Sequence, residues 1–218
     1  MIIAFSGTDG AGKSTQIKIL VSEFSKQGFK VKYIWARGGY TPLFSALKFF
    51  LRILTAKKIP DVGHSLPRDK LLKRKSISSI WLAISILDLL IFYSLYARII
   101  GWLGIVVVCD RYIKDTLIDF KRNFPDAFDE KSFLWKLLVF SAPKPNQSFL
   151  LLVPVNVSLV RSKMKGEPFP DSSETLSFRL KNYLDESIFP SDKYHKIDCQ
   201  RSIESIQLEI REKFKELS

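Results

Sequence analysis

The sequence is poor in cysteine, histidine and methionine, with two of each among 218 residues. Cys109 and Cys199 are far apart, and neither has a neighbour at the spacing of a metal-ligand pair. This scarcity argues against a disulfide framework or a zinc site. We therefore expect a reducing compartment and place the protein in the cytoplasm. The first residues read as a core strand, so we expect no signal peptide.

Acidic residues are also few relative to basic ones. The chain has 34 Lys and Arg against 22 Asp and Glu, a net charge of +12. Twelve basic and two acidic residues lie between Lys30 and Lys75. Such a local excess favours an anionic partner: a phosphorylated substrate, a membrane surface or nucleic acid. A solvated helix face explains any single lysine here equally well.

Within that basic stretch, residues 42–59 have the pattern of an amphipathic helix, and a second basic patch follows at residues 68–75. Together they form a basic segment of about residues 42–75, which we expect to bind anionic membrane surfaces. That would make the protein peripheral to the membrane. No nucleic-acid recognition motif or interleaved aromatic platform accompanies the segment, so we do not expect a nucleic-acid partner.

Residues 7–15 read GTDGAGKST, a complete phosphate loop of the form G-x-x-x-x-G-K-S. The apolar run Met1–Phe5 precedes the loop, and a helical pattern follows from Ser14 to Phe24. A glycine-rich turn at a helix N-terminus points N–H groups at a polyphosphate. We expect an exposed Lys13 to reach the β- and γ-phosphates and the Ser14 hydroxyl to ligate Mg²⁺. The residues expected to bind ATP here are Gly7, Gly10, Ala11, Gly12, Lys13, Ser14 and Thr15.

Apolar strand patterns alternate with helical patterns along the chain, which predicts an α/β protein with a parallel sheet. After the first strand, the predicted strands are Lys30–Trp35, Ile105–Cys109, Ser148–Val153 and Tyr194–Ile197. The length suits a single α/β domain covering residues 1–218, with room for an inserted lid.

The segment Ile80–Ala97 has only Asp88 charged among 18 residues. Its apolar residues would favour membrane insertion by roughly 3–6 kcal/mol, and a central aspartate opposes it by roughly 2.5–3.5 kcal/mol. A single crossing would separate the phosphate loop from Asp110, although both should face one nucleotide. We therefore predict a buried helix. Its broken polar stripe would consist of Ser78, Ser85, Asp88 and Tyr96.

The apolar run Val106–Cys109 leads directly into Asp110, Arg111 and Tyr112. In open parallel sheets ligands bind at the carboxyl ends of strands, so Asp110 should lie near Lys13. Its carboxylate would hold Mg²⁺ through water or orient an acceptor oxygen, and Arg111 would hold a phosphate. A structural ion pair is the alternative. In a protein with a phosphate loop we favour the catalytic role.

Three further segments bear on the class of protein. They are Arg37-Gly38-Gly39 after the second strand, a helix from Val157 to Gly166, and the terminal Ile197-Asp198. With the phosphate loop containing Asp9 and with Asp110-Arg111-Tyr112, they resemble the thymidylate kinase family of nucleoside monophosphate kinases. The resemblance implies a three-layer phosphate-loop NTPase fold, with a five-stranded parallel sheet flanked by helices and a short lid at about residues 161–174. It further implies Mg²⁺-ATP as donor, dTMP or a related monophosphate as acceptor, and a homodimer as one assembly.

By that resemblance, Asp9 would bind the acceptor's sugar hydroxyl, and Arg37 and Arg111 would bind its phosphate. Arg161 would lie beside ATP. Because Gly10 leaves the phosphate loop without a basic residue at that position, the lid should supply the catalytic cation. The candidates for it are Lys165 first and Lys163 second.

Two departures from the family pattern concern the acceptor. Ser6 stands where the family usually has an acidic residue, and Asp88-Leu89-Leu90 stands where it has a phosphate-gripping arginine. Three functions therefore stay open. The first is a kinase of dTMP or a related monophosphate. The second is a kinase of this fold with a membrane-associated sugar or lipid-linked acceptor. The third is a non-catalytic ATP-binding protein that engages anionic lipid or nucleic acid.

Overall fold

The computed structural model describes residues 1–35, 75–166 and 171–215. Arg37, the predicted amphipathic helix at 42–59 and nearly all of the basic patch at 68–75 lie outside these described residues. Predictions about them therefore stay predictions.

Contacts divide the chain into two compact units. The first unit consists of Met1–Trp35, Ile100–Lys114 and Lys144–Ser218, and the second of Ala36–Ile99 and Asp115–Pro143. The first unit contains the sheet and the phosphate loop.

The predicted parallel sheet is confirmed. Its five strands are β1 (Ile2–Gly7), β2 (Val31–Trp35), β3 (Val106–Asp110), β4 (Gln147–Leu152) and β5 (His195–Asp198). Their order across the sheet is β2-β3-β1-β4-β5, and every neighbouring pair is parallel. All five predicted strands are found within two residues of their expected ends. The order places β1 at the centre, so the loop that follows it lies in the middle of one sheet edge.

Helices alternate with these strands along the chain, as expected for a phosphate-loop NTPase fold. In the described residues they are α1 (Lys13–Lys26), α2 (Lys75–Leu89), a π-helical segment (Leu90–Ala97), α3 (Arg98–Trp102), α4 (Ile113–Asn123), α5 (Phe133–Ser141), α6 (Val155–Met164), α7 (Ser173–Tyr183) and α8 (Ile203–Lys215).

The core of the first unit lies between the central strands and helices α1 and α8. Strand β1 is buried along its whole length, as expected for an apolar strand covered on both faces. Ile17 of α1 and Ile210 of α8 pack into the same cluster as Phe5 and Phe149, whose rings stack at 5.1 Å between centroids. This packing holds the start of α1 at the carboxyl end of β1.

The apolar helix predicted to be buried is buried on one face only. Ser78, Ser85, Asp88 and Leu89 are buried, as is Tyr93, whereas other apolar side chains of the helix are exposed. The exposed ones are Ile80, Leu87, Ile91, Leu95 and Tyr96. Among the described residues, Ile77–Trp102 has the length and composition of a membrane-spanning helix, with a mean hydropathy of 1.9 and 39% of its most apolar window buried. Length and composition alone are weak evidence for a span, because core helices of soluble proteins pass the same test.

Gly7, the last residue of β1, has no room for a side chain. Its φ is +134°, and a Cβ there would lie 2.0 Å from the Leu151 carbonyl oxygen in β4. We expect Gly7→Ala to lower the free energy of unfolding by about 3 kcal/mol or more, because the central sheet would have to separate locally. Urea denaturation of the purified proteins would measure this.

Gly28→Ala is the matched control for that substitution. Gly28 also has a positive φ of +86°, but a Cβ there would meet no atom within 4 Å. It should therefore cost only the conformational strain, about 1–2 kcal/mol. Equal losses in both variants would show that backbone strain, rather than the contact with Leu151, decides the cost.

Candidate active site

The loop between β1 and α1 has the backbone of an anion-binding cradle. Gly7, Gly10 and Gly12 all have positive φ, which side chains rarely allow. No side chain caps the N-terminus of α1 at Gly12. The first N–H groups of an α-helix have no acceptor within the helix, and the helix dipole makes that end positive. The cradle therefore suits phosphate oxygens.

Lys13 lies folded over this loop rather than extended into solvent. Its Nζ donates hydrogen bonds to the carbonyl oxygens of Gly7, at 2.9 Å, and Thr8, at 2.8 Å. The side chain is only 7% exposed, so the expectation of an exposed lysine is wrong. The loop's own carbonyls take the place that phosphate oxygens would occupy. Ser14 and Thr15 are exposed, and Ala11 is buried.

Asp110 ends β3 beside the loop, opposite Phe5 of β1 in the sheet register. The residue is 5% exposed. Its Oδ2 accepts a hydrogen bond from the Tyr33 hydroxyl at 3.1 Å, while its buried Oδ1 has no hydrogen-bond partner within the described part of the chain. Burial and the Asp110 carboxylate raise the pKa of Tyr33 well above its usual value. The phenol therefore stays a proton donor to Asp110 at neutral pH.

The buried oxygen of Asp110 bears on whether Mg²⁺ fits this site. Mg²⁺ prefers hard oxygen ligands and keeps several waters. A carboxylate oxygen without a protein partner and the exposed Ser14 hydroxyl satisfy that preference. Within the described residues no group of three or more His, Cys, Asp or Glu side chains could hold a metal ion. A magnesium ion here would therefore take few ligands from the described residues, with substrate phosphates and waters as the others.

Arg111 turns from the end of β3 toward the phosphate loop. Its φ is +74°, an uncommon conformation for a residue other than glycine. The backbone N–H donates to the Phe5 carbonyl at 2.8 Å, and the guanidinium donates to Asp9 and, at 3.2 Å, to the Tyr183 hydroxyl. The strained backbone thus directs a buried cation at the carboxylate inside the loop.

Asp9 is the centre of a charged cluster in the loop. Arg111 binds one carboxylate oxygen, with Lys13 Nζ at 3.9 Å from the same atom. Arg179 of α7 donates to the other oxygen at 2.8 Å and also pairs with Asp171. Three cations thus surround a carboxylate that the resemblance assigns to the acceptor's hydroxyl. Asp171 lies within the predicted lid of about residues 161–174, so Arg179 links that segment to the loop.

Arg179 was not predicted from the sequence. It lies on the buried face of α7, between Leu176 and Tyr183 at helical spacing. A single arginine within such an otherwise apolar stripe is the signal that would have indicated it, because an arginine is rarely buried without a charged partner.

Helix α6 closes the other side of the loop. Ser158 Oγ donates to the Asp9 carbonyl oxygen. Arg161 donates to the Gly10 carbonyl at 3.1 Å and to the Cys199 carbonyl at 3.0 Å. The structure therefore brings Arg161 to the phosphate loop. Lys163 and Lys165, the candidate lid cations, are exposed at the carboxyl end of α6, and residues 167–170 lie outside the described part.

Neither cysteine is suited to nucleophilic catalysis. Burial, with a smaller contribution from Asp110, raises the pKa of the Cys109 thiol to about 12. Burial also raises the pKa of Cys199 to about 11. The reactive form of cysteine is the thiolate. Both residues are therefore neutral core side chains at physiological pH.

We expect Arg179→Ala to destabilise the protein by about 2–4 kcal/mol. The substitution removes the Arg179 guanidinium, whose side chain is 4% exposed and which pairs with both Asp9 and Asp171. Removing one partner of a buried ion pair lowers the free energy of unfolding, because the other charge stays buried without it. Asp9 itself is 27% exposed, which places the expected loss toward the lower end. Chemical denaturation would measure the change.

Arg201→Ala provides the comparison for Arg179. Arg201 pairs with Glu209 in an ion pair with both side chains at least one-third exposed. Exposed pairs contribute about 0–1 kcal/mol. A loss at Arg179 no larger than the loss at Arg201 would contradict the structural importance of the Asp9 cluster.

The fold and the loop together define an α/β protein with a five-stranded parallel sheet, consistent with a phosphate-loop NTPase kinase fold. No family model matches the sequence. Among curated proteins, the thymidylate kinase of Neisseria gonorrhoeae is 26% identical over 214 residues, covering 94% of this chain and 91% of the relative. That of Herpetosiphon aurantiacus is 24% identical, with 92% and 76% covered. The probable thymidylate kinase of Pyrococcus abyssi is 27% identical, with 75% and 70% covered.

The similarity extends over more than 90% of the chain. The protein is therefore thymidylate kinase-like, which confirms the family resemblance found in the motifs. At about 25% identity, the individual site residues and the acceptor stay predictions.

Proposed function

We propose that the protein is a cytoplasmic kinase that transfers the γ-phosphoryl group of ATP to dTMP or a related nucleoside monophosphate. One observation carries the proposal: the phosphate cradle at the end of β1 lies beside Asp110 and Arg111 at the end of β3, with Asp110 opposite Phe5. The similarity to thymidylate kinases supports the same activity.

In this proposal the loop binds the donor. The backbone N–H groups at Gly10–Ser14 hold the phosphates of ATP, and Lys13 exchanges the Gly7 and Thr8 carbonyls for β- and γ-phosphate oxygens. Arg161, already bonded to the Gly10 carbonyl, lies on the donor side. When bound, Mg²⁺ neutralises charge on the β- and γ-phosphates, held by Ser14 and by Asp110 directly or through water.

Asp110 and Arg111 act on the acceptor side. The acceptor's phosphate oxygen attacks the γ-phosphorus, the bond to the β–γ bridging oxygen breaks, and ADP leaves with that electron pair. Arg111 is placed to hold the acceptor phosphate, because its buried guanidinium is a planar donor that binds two oxygens at once. In the structure that guanidinium is bound to Asp9, so acceptor binding would share or displace this contact. Lys165 as catalytic cation stays a prediction.

A second candidate has the same chemistry with a different acceptor, such as a sugar or lipid-linked group. The observation that favours it is the environment at the position of the family's phosphate-gripping arginine. Asp88 is 4% exposed there, and Leu89 is fully buried. A carboxylate disfavours a nearby phosphate, because like charges repel. Donor recognition would be the same for both candidates.

We expect dTMP to be a poor acceptor compared with its use by a dedicated thymidylate kinase. A hydrogen bond to a charged group contributes about 1.5–3 kcal/mol, so the missing arginine should weaken phosphate capture by about 10- to 150-fold. Steady-state kinetics with dTMP, run beside the Neisseria gonorrhoeae enzyme, would measure the difference in kcat/KM.

A panel of nucleoside monophosphates and sugars, assayed for acceptor-dependent ADP release, separates the candidates. A nucleoside monophosphate as best acceptor supports the first candidate, and a sugar or lipid-linked acceptor supports the second. ATP binding with no acceptor-dependent ADP release would contradict both. Efficient use of dTMP would show that another cation replaces the missing arginine.

A further inference from the structure

Two neighbouring turns of the first unit place three large apolar side chains in solvent. Phe29 follows α1, Trp102 is the last residue of α3 and Leu103 follows it, and they are 50%, 78% and 70% exposed. The Val106 N–H donates to the Lys30 carbonyl at 2.9 Å, which joins the two turns side by side. We call Phe29, Trp102 and Leu103 the apolar tip.

Both turns contain a glycine in the left-handed region. Gly28 and Gly104 have φ of +86° and +75°, and a Cβ at either position would meet no atom within 4 Å. The Phe29 ring rests edge-on against Phe24, with centroids 5.7 Å apart. Part of the tip is therefore supported by packing from α1.

Three lysines lie close to the tip in sequence. Lys26, Lys30 and Lys32 are exposed, and the sequence has no acidic residue at positions 26–35 or 99–105. Tryptophan is enriched at the boundary between water and lipid, where its ring is half in each environment. Lysines beside an apolar protrusion attract anionic headgroups, by about 1 kcal/mol each near the surface.

The composition favours lipid over a protein partner. Protein interfaces are depleted in lysine and enriched in arginine, whereas this patch contains three lysines and no arginine at positions 26–35 or 99–105.

The position of the tip leaves the nucleotide site accessible. The tip lies at the amino ends of β2 and β3, where both turns enter the sheet. The phosphate loop follows the carboxyl end of β1, which is parallel to β3. The two therefore lie at opposite edges of the sheet, so a surface that receives the tip does not cover the loop.

We propose that the apolar tip inserts into the interfacial region of an anionic lipid bilayer, with Lys26, Lys30 and Lys32 on the headgroups. This docking surface is distinct from the basic segment at 42–75 and does not depend on the proposed kinase activity. It orients the nucleotide site toward the aqueous phase.

The test is co-sedimentation of the full chain with vesicles of equal parts phosphatidylcholine and phosphatidylglycerol. Trp102→Ser/Leu103→Ser replaces two of the three side chains of the tip and keeps every basic residue. Any vesicle binding that depends on charge alone should therefore stay the same. We expect at least about a tenfold loss of vesicle affinity, because two large side chains no longer leave water. Lys30→Glu/Lys32→Glu should also weaken binding, and binding by the unchanged chain should fall as salt rises.

Leu208→Ser is the matched control, since Leu208 is 55% exposed on α8 and belongs to neither turn. It should bind vesicles like the unchanged chain. Thermal unfolding of each variant checks the fold. Insertion has a second test that does not need the double variant: the tryptophan emission of the unchanged chain should shift to the blue on vesicle binding, and Trp102→Phe should lose that shift. The proposal is overturned if the unchanged chain does not bind anionic vesicles, or if Trp102→Ser/Leu103→Ser binds them equally well. It is also overturned if sedimentation velocity shows that this double variant loses self-association instead of vesicle binding.

Discussion

Lys13→Ala is expected to abolish phosphoryl transfer. Lys13 Nζ already lies over the loop, hydrogen-bonded to the Gly7 and Thr8 carbonyls, where it can exchange them for phosphate oxygens. Removing a cation that stabilises charge on a transferring phosphoryl group lowers turnover by about 10²–10³-fold or more. Steady-state ADP release with the best acceptor of the panel would measure the loss.

The same substitution should have a small effect on stability. Two carbonyls lose a donor, which costs about 1–3 kcal/mol if they stay buried. Lys18→Ala is the control, because Lys18 is exposed on the same helix and should leave both turnover and unfolding unchanged. Turnover of Lys13→Ala within a few-fold of the unchanged protein would contradict the kinase assignment.

Asp110→Asn is expected to lower transfer by on the order of 10²-fold while changing ATP affinity little. The substitution keeps the shape of the side chain and an acceptor for the Tyr33 hydroxyl, but it removes the charge beside the loop. The charge would act mainly on Mg²⁺ and on the acceptor, so its loss should appear in kcat. Single-turnover kinetics and ATP binding by calorimetry separate the two effects.

Tyr33→Phe distinguishes the charge of Asp110 from its hydrogen bond. That variant removes the donor at 3.1 Å and keeps the carboxylate, so its loss of turnover should be much smaller than that of Asp110→Asn. If Asp110→Asn lowers only the free energy of unfolding and leaves transfer unchanged, Asp110 is a structural residue rather than a catalytic one.

Much of this site was predictable because its signals are local. The spacing from Gly7 to Ser14 encodes a turn at a helix N-terminus, and an apolar strand before Asp110 places a carboxylate at a sheet edge. In a parallel sheet the carboxyl ends of the strands lie at the same edge, so the loop and Asp110 are expected at that edge. Neither inference needs a long-range contact to be known in advance.

Other features depended on contacts between distant segments and were missed. Arg179 is 170 residues from Asp9 in sequence, and Tyr33 is 77 residues from Asp110. The expected exposure of Lys13 was wrong for a different reason, because carbonyl groups of its own loop, at Gly7 and Thr8, accept hydrogen bonds from the amine. Exposure depends on what packs against a residue, which periodicity does not show.

The sequence by itself determined the class of fold, the position of the phosphate loop and the sheet edge at which the loop and Asp110 lie, because strand periodicity and loop spacing are short-range patterns. The tertiary structure alone decided which cations surround Asp9, which face of the apolar helix is buried and which apolar side chains reach solvent at Trp102 and Leu103. Those properties arise from packing between elements far apart in the chain, and packing selects among side chains that share the same local pattern.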